Sequence, residues 1–258
     1  MTGLRLAAAV LLLLGALPGR AQTMLDQEER LVELHSLLVA LPAVQAPGAL
    51  APWQASLGLE VITIPTIDGT TGGKRQITAS DRTRAFPRPR VALGLPVAGR
   101  VPAFLGAAYI PPLEVNRVSS HLGALEGGLA WTAGALALSL RGQAVYASSR
   151  SPVTEPATRD TLRTVVLGAD AAAGWTVHAA GLRLTPYASL GVVRVDGRFR
   201  VASDGAVLTA RAARPVASLG LRVLGWRGVE AVAELVDYPG RLRHATFKVA
   251  WVPGAGGQ

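Results

Sequence analysis

Apolar and polar residues alternate along most of the chain after residue 52. Across residues 53–61, apolar side chains occupy the odd positions, and polar residues or glycine occupy the even ones. Neighbouring side chains of a β-strand point to opposite faces, so this alternation predicts a strand with one apolar and one polar face. Ten segments share this pattern: residues 53–61, 88–96, 101–109, 121–131, 136–146, 163–175, a strand beginning at Leu182, 213–223, 229–236 and 245–251. The alternation blurs at Val192 and Val193, where we predict a β-bulge.

The connections between these segments alternate in length. They are tight near residues 96–100, 132–134, 176–181 and 225–228, and mostly longer near 66–85, 110–118, 147–161 and 202–207. The connection at 237–240 is short although it belongs to the longer set. Short turns at one end and longer loops at the other are typical of barrels that span a membrane with strands. We therefore predict an all-β fold, an up-and-down antiparallel transmembrane β-barrel of about ten strands over residues 53–252.

The first residues have the pattern of an export signal. Arg5 precedes a largely apolar run over residues 6–17, and Gly19 and Ala21 provide the small residues that a signal peptidase requires. The run is shorter than the ~20 residues of a membrane-spanning helix. We predict a signal peptide over residues 1–21 and a mature chain that starts at Gln22, which lowers the net charge from +9 to +7.

Residues 23–41 have helical periodicity instead. Leu31, Leu34, Leu38 and Leu41 recur at the spacing of one helix face, and Pro42 ends the pattern. The pattern predicts a short amphipathic helix that packs on the rest of the protein, followed by a proline-rich linker; the two make up residues 22–52. Periodicity alone leaves two other roles open, a plug of the barrel and a contact surface for a periplasmic partner of helix 23–41.

The polar face of the predicted strands carries balanced charges and many glycines. Enclosed charges must be paired, and a narrow lumen needs glycine where side chains crowd, so we predict that this face lines the barrel interior. The predicted lumen ionic network is Glu60, Arg90, Glu126, Arg141, Asp170, Arg183, Arg222, Glu230, Glu234 and Lys248. The alternative is a soluble periplasmic ligand-binding barrel that has apolar side chains inside and charged side chains outside.

Aromatic residues are few, but the predicted topology separates them by type. The tryptophans fall at the short-turn end and three of the four tyrosines fall near the long-loop end, as rings at two membrane interfaces do. The predicted interface aromatics are Trp53, Trp131, Trp175, Trp226, Trp251, Tyr109 and Tyr146, and Tyr238 lies near the long-loop end as well.

With these features the sequence resembles small Gram-negative outer-membrane β-barrel proteins. The resemblance rests on the export signal, the even number of strands, and a last strand in which Ala245, Phe247, Val249 and Trp251 alternate with polar or small residues. That strand resembles the assembly signal of the class, although residues 253–258 follow it as a C-terminal tail. The resemblance implies an outer-membrane location and identifies no activity.

Composition and spacing argue against several kinds of site. The chain has no cysteine, which excludes disulfides and thiolate metal or redox centres. Its four histidines, His35, His121, His178 and His244, have no partner at metal-ligand spacing, so we predict neither a metal nor a cofactor. Nearly all basic residues are arginines, without a basic patch interleaved with aromatic residues, which argues against a nucleic-acid partner.

Two segments contain residue types that could carry chemistry. Ser119 and His121 precede or begin the fourth predicted strand, where a lipid hydrolase of the outer membrane could use a serine and a histidine. A solvated loop is the simpler interpretation, and we assign no catalytic residue. The glycine-rich segment 69–73 lacks the strand-to-helix context of a phosphate-binding loop and predicts a flexible loop tip.

Basic residues outnumber acidic ones on the long-loop side. They are Lys74, Arg75, Arg82, Arg84, Arg88, Arg117, Arg150, Arg159, Arg163, Arg194, Arg198, Arg200, Arg211, Arg241 and Arg243. Arginine binds phosphate through two parallel hydrogen bonds, so an outward collar predicts contact with outer-membrane lipid, including lipopolysaccharide. A solvated and partly self-paired loop surface is the alternative.

These observations predict an outer-membrane β-barrel with a narrow or filled charged lumen. The expected role is structural, or passive transport of small or hydrophobic molecules, because a ten-stranded bore is close to the size that side chains can fill. The alternatives are a lipid-modifying enzyme of the outer membrane and the soluble periplasmic barrel; the pattern favours a protein that is not an enzyme.

Overall fold

The computed structural model describes residues 24–41, 47–48, 50–64, 85–96, 102–115, 118–152 and 157–254. The predicted signal peptide, most of the proline-rich linker, the glycine-rich segment 69–73 and the end of the C-terminal tail lie outside the described residues.

One α-helix precedes the strands in the described ranges. Helix α1 spans Met24–Leu38, and the strands are β1 (Ala55–Thr63), β2 (Ala85–Leu95), β3 (Ala103–Val115), β4 (Val118–Ala133), β5 (Leu136–Ser151), β6 (Asp160–Trp175), β7 (Val177–Ala179), β8 (Leu182–Arg200), β9 (Val207–Leu224), β10 (Val229–Tyr238) and β11 (Leu242–Trp251). A single 3₁₀ turn, Trp226–Gly228, joins β9 to β10. No helix in the described ranges is both long and apolar enough to cross a membrane.

The strands form one antiparallel sheet that closes on itself. Consecutive strands pair with each other except for β6 and β7, β1 pairs with β11, and β6 pairs with β8. The three-residue β7 continues β6 past Thr176 and pairs with β8, so the barrel has ten full strands. The prediction of a ten-stranded up-and-down barrel with a short N-terminal helix is confirmed. We call the end with the connections after β2, β4, β7 and β9 the short-turn end, and the opposite end the long-loop end.

The charged face of the strands lines the lumen, and the apolar face is outside. On β1, Leu57 and Leu59 are each 49% exposed, whereas Ser56 before them and Glu60 after them are buried. The same division holds around the barrel, where the exposed side chains include Leu105, Leu125, Leu140, Leu190, Leu219 and Val249. A water-soluble barrel has the opposite orientation, so the structure contradicts the soluble alternative.

The outward apolar band has the height of a bilayer interior. On β6 the outward residues are apolar from Trp175 to Val165, and the next outward residue is Arg163. About ten residue steps on a strand tilted by roughly 40° rise about 25 Å, which is the height of the apolar band in outer-membrane barrels.

The predicted bulge in β8 is wrong. Pairing of β8 with β6 and with β9 continues without a shift through Val192 and Val193. Val193 and Val195 point into the lumen, while Val192 and Arg194 point outward. The alternation blurs in the sequence because the lumen is itself apolar at this height. A register shift occurs instead between β3 and β4, at residues 110–113.

Several strands extend further toward the long-loop end than predicted. β3 continues to Val115 and β4 begins at Val118, so the predicted long connection over 110–118 is mostly strand. β8 has 19 residues and β9 has 18, more than the ~9–11 residues that a membrane-spanning strand needs. These strands therefore project beyond the apolar band.

Candidate functional site

Charged side chains form a continuous chain of ion pairs across the middle of the lumen. Their order is Arg88, Glu60, Arg90, Glu126, Arg141 and Asp170, from strands β1, β2, β4, β5 and β6. All six are buried, and the nitrogen–oxygen distances within the chain do not exceed 3.3 Å. Cations and anions alternate in equal number, so each buried charge has a neighbour of opposite sign. We call this group the central ionic chain.

A second group of charges lies in the lumen between β9, β10 and β11. Glu230 accepts hydrogen bonds from Lys248 Nζ and from Arg222 Nε, each at 2.7 Å. Glu234 accepts a hydrogen bond from the hydroxyl of Tyr187 at 2.8 Å. Arg183 is half-buried near the short-turn end of β8. Most of the predicted network therefore belongs to these two groups of lumen charges.

The central ionic chain also holds the residues that follow α1. Arg88 Nη1 donates to the carbonyl oxygen of Val39 at 3.1 Å, and the guanidinium lies 3.4 Å from that of Ala40. Arg141 Nη2 donates to the carbonyl of Leu41 at 3.0 Å, and the Leu41 N–H donates to Gln143 Oε1 at 2.7 Å. Carbonyls just beyond a helix C-terminus have no partner within the helix and lie at the negative end of its dipole. The two arginines therefore satisfy these carbonyls in the centre of the barrel.

Helix α1 fills the long-loop half of the lumen. Its buried Leu34 and Leu37, together with Leu41, pack against inward apolar side chains, which include Ile110, Leu122, Val145, Val166, Val193, Val195, Val236 and Tyr238. Glu33 pairs with Arg214 on β9, and Ser36 Oγ lies 3.1 Å from Thr164 Oγ1 on β6. Among the roles that the sequence leaves open, the structure shows the plug. We call residues 24–41 the plug.

Described residues of the N-terminal region contact the barrel at three different heights. Ser36 contacts the wall in the long-loop half, whereas Leu41 lies at the central ionic chain. Near the short-turn end, Leu50 packs against Ala92 and Val252. Strand β1 then begins at that end.

Glycine allows a close approach of the plug to the wall. A Cβ atom at Gly197 on β8 would lie 2.5 Å from Ser36 Oγ and 2.9 Å from Val32 Cγ1. On β3, a Cβ atom at Gly106 would lie 2.6 Å from Glu126 Oε1. A side chain at either position would displace the plug or the ion pair beside it.

Little free space remains beside the plug. A cavity of about 10 Å³ lies next to Leu41 and is lined by Arg141, Gln143, Asp170 and Tyr238, among others. This volume is about enough for one water molecule and too small for a solute. This part of the described lumen is therefore filled.

Arg88 is one of the residues that sequence reasoning misplaced. The sequence-based collar includes it, but Arg88 is fully buried in the lumen and belongs to the central ionic chain. It shares its parity on β2 with Arg90, and that parity was the signal for its inward direction. No comparable signal indicated the pairing of Glu33 with Arg214, because the two residues are 181 positions apart.

The predicted interface aromatics lie on the outer surface. The tryptophans are exposed at the short-turn end, from Trp131 at 43% to Trp226 at 70%. Tyr109 and Tyr146 are exposed as well, and both pair in register with Gly123. Tyr238 is different, because it is buried in the lumen against the plug. The prediction that groups Tyr238 with the interface aromatics is therefore wrong.

Ser119 and His121 form no catalytic pair. Both belong to the outward face of β4, and no hydrogen bond joins them within the described part of the chain. The His121 ring instead lies 5.6 Å from the Tyr146 ring, between centroids. The described residues also contain no group of three histidine, aspartate or glutamate side chains that could hold a metal ion.

Most of the predicted collar that the structure describes is exposed. Outward and exposed are Arg150, Arg163, Arg194, Arg198, Arg200, Arg211 and Arg243. Arg159 pairs with Glu114, and Arg241 lies 3.7 Å from Glu33 of the plug. The remaining members, Lys74, Arg75, Arg82, Arg84 and Arg117, lie outside the described residues.

The strands form a closed antiparallel sheet with an apolar exterior and a charged interior. This is the architecture of an outer-membrane β-barrel. No protein-family model matches the sequence, and no curated protein matches it.

Solved structures with a similar fold share little sequence with this chain. The β domain of the Bordetella autotransporter BrkA has 12% identity and a TM-score of 0.35, with 77% of this chain and 97% of that chain covered. The translocator domain of the autotransporter NalP from Neisseria meningitidis has 10% identity and a TM-score of 0.39, with 90% and 98% covered. The Pseudomonas putida toluene transporter TodX has 13% identity and a TM-score of 0.34, with 82% and 71% covered. Similarities this distant assign no activity to this chain.

Proposed function

We propose that the protein resides in the outer membrane as a barrel that its own N-terminal segment keeps closed. Its resting role is then structural, and passive transport of small molecules depends on displacement of the plug. The observation that carries this proposal is the contact of Arg88 and Arg141 with the carbonyls of residues 39–41 in the middle of the lumen.

The outer surface supports the membrane location. The apolar band of about 25 Å matches the hydrocarbon layer that such barrels cross. Tryptophans border this band at the short-turn end, as aromatic residues do at a membrane interface. The predicted signal peptide supplies the export step that an outer-membrane protein requires.

The packing of the plug supports the closed state. Leu37 is fully buried, and Leu41 is 1% exposed at the level of the central ionic chain. Displacing these side chains would expose apolar surface on both plug and wall, at a cost of about 1.5–3 kcal/mol for each large side chain. The closed arrangement is therefore the stable one, and opening requires an added driving force.

Ion conductance in planar lipid bilayers tests the proposal. The variant is Leu37→Glu, which puts a carboxylate into the apolar half of the lumen and leaves the barrel wall unchanged. The control is His35→Glu, which adds the same group at an exposed position of α1. We expect no conductance steps for the unchanged protein or the control, and discrete steps for Leu37→Glu.

Two results would contradict the proposal. Steady conductance by the unchanged protein would show that the lumen is open at rest. A silent Leu37→Glu barrel that retains its heat-modifiable migration in gels would show that the plug does not control the pore. A deletion of residues 24–41 provides a second variant with the same expected opening.

A further inference from the structure

A group of arginines lies on the outer surface just beyond the apolar band. Arg163 on β6 is the first charged outward residue after Val165, and Arg194 and Arg198 are outward on β8. With the outward ring of Tyr146 they border a shallow crevice of about 420 Å³. Its wall toward the membrane is apolar, formed by Val165 and Leu167, which are 44% and 51% exposed. We call this the arginine crevice.

The charges of the arginine crevice are not balanced by protein groups. Arg163 and Arg198 stand directly opposite each other across the β6–β8 pair. Like charges in this position repel and destabilise a sheet. Within the described residues, neither arginine has an ion-pair partner, and neither does Arg194.

The one acid in the crevice is already engaged. Asp196 pairs with Arg211 on β9, with a distance of 2.9 Å between Oδ2 and Nε. Arg163, Arg194 and Arg198 are therefore available to bind an anion from outside the protein. An arginine guanidinium binds phosphate through two parallel hydrogen bonds. These charged hydrogen bonds are stronger than those from neutral donors.

We propose that the arginine crevice is a binding site for the phosphate group of a membrane lipid. The site lies at the edge of the apolar band nearest the long-loop end. This position favours a lipid over free phosphate, because a lipid has both a phosphate and acyl chains. A phosphorylated head group would contact Arg163, Arg194 and Arg198, while its acyl chains continue along the apolar surface at Leu167. A bound phosphate offsets the repulsion between Arg163 and Arg198.

Lipid retention measured by native mass spectrometry tests this site. The full-length mature protein is placed in phosphatidylcholine nanodiscs that contain diphosphoryl lipid A, and the lipid A adducts are counted after release. We expect the unchanged protein to retain lipid A, and the double variant Arg163→Gln/Arg198→Gln to retain about tenfold less, because it loses charged hydrogen bonds to the phosphate. The unchanged protein should retain lipid A without phosphates as weakly as the double variant retains diphosphoryl lipid A.

The matched control removes two arginines outside the crevice. Arg159→Gln/Arg243→Gln causes the same change in net charge, and both residues pair with acids elsewhere on the surface. We expect this control to retain lipid A at the unchanged level. Equal losses in both double variants would overturn the site, because they would reflect net charge alone.

Three further outcomes decide the proposal. Undiminished retention by Arg163→Gln/Arg198→Gln, or by unphosphorylated lipid A, would overturn it. Displacement of lipid A by millimolar inorganic phosphate would overturn the assignment to a lipid. Arg194→Gln is a second variant with a single exposed change, and its reduced retention is expected should the double variant fail to assemble.

Discussion

At the scale of single residues, Glu126 is the link in the central ionic chain. Its carboxylate accepts hydrogen bonds from Arg90 and from Arg141, and Arg141 in turn holds the carbonyl of Leu41. Buried ion pairs contribute little net stability compared with apolar packing, but removal of one member leaves its partners unpaired. The main effect of losing one member of the central ionic chain is therefore the unpaired buried charge that remains.

Glu126→Gln tests this dependence. The change keeps the size of the side chain and leaves two buried guanidinium groups short of one negative charge. We expect a loss of about 3–5 kcal/mol in the free energy of unfolding. Urea titration in detergent, followed by tryptophan fluorescence, measures it.

Glu114→Gln is the control for Glu126→Gln. Glu114 pairs with Arg159 at the surface, where both side chains are about half exposed. Exposed pairs contribute about 0–1 kcal/mol, so the control should change the unfolding free energy by no more than that. Equal effects of the two substitutions would contradict the structural role of the central ionic chain.

A second residue-scale prediction concerns Gly197. Leucine at this position would place its Cβ within 2.9 Å of both Ser36 and Val32 of the plug. We expect Gly197→Leu to produce conductance steps like those of a displaced plug. Gly123→Leu is the control, because nothing lies within 4 Å of a Cβ atom there. Silence of Gly197→Leu in an assembled barrel would show that the plug adapts to the added side chain.

At the scale of elements, strand parity predicted the wall far better than the content of the lumen. Glu60, Arg90 and Glu126 could be assigned to one face because alternation is a local property of a strand. The position of α1 could not be predicted in this way. Helical periodicity shows that one face of a helix is apolar, but it does not show which surface covers that face. The alternation blurs at Val192 and Val193 because inward residues at this height contact the plug and are therefore apolar.

The position of α1 can be tested by cross-linking. The chain has no cysteine, so Ser36→Cys/Thr164→Cys creates a unique pair at two side chains whose oxygens lie 3.1 Å apart. A disulfide needs a similarly short separation of its side chains. We expect a cross-link that shifts the migration of the denatured protein in gels and disappears on reduction.

The control pair for this cross-link is Ser36→Cys/Ser189→Cys. Ser189 also faces the lumen, but its hydroxyl contacts Ser218 and not the plug. We expect no cross-link for this pair. Efficient cross-linking of both pairs would mean that α1 moves freely through the lumen, which contradicts a fixed plug.

At the scale of the whole molecule, the two ends of the barrel have different surroundings. The short-turn end carries the exposed tryptophans, and the long-loop end carries the exposed arginines. In outer-membrane barrels, short turns face the periplasm and longer loops face the outside of the cell. The proposed location therefore fixes an orientation as well as a compartment.

Trypsin treatment of intact cells tests this orientation together with the fold. The connection between β1 and β2 leaves the barrel at the long-loop end and contains Lys74 and Arg75, whereas the exposed Arg227 lies at the short-turn end. We expect cleavage within residues 64–84 on intact cells, and cleavage at Arg227 only after the outer membrane is permeabilised. The uncut protein should also migrate differently in gels before and after heating, because a closed barrel resists unfolding by detergent. The reverse cleavage pattern would invert the orientation, and protection of both sites without heat-modifiable migration would contradict a barrel in the outer membrane.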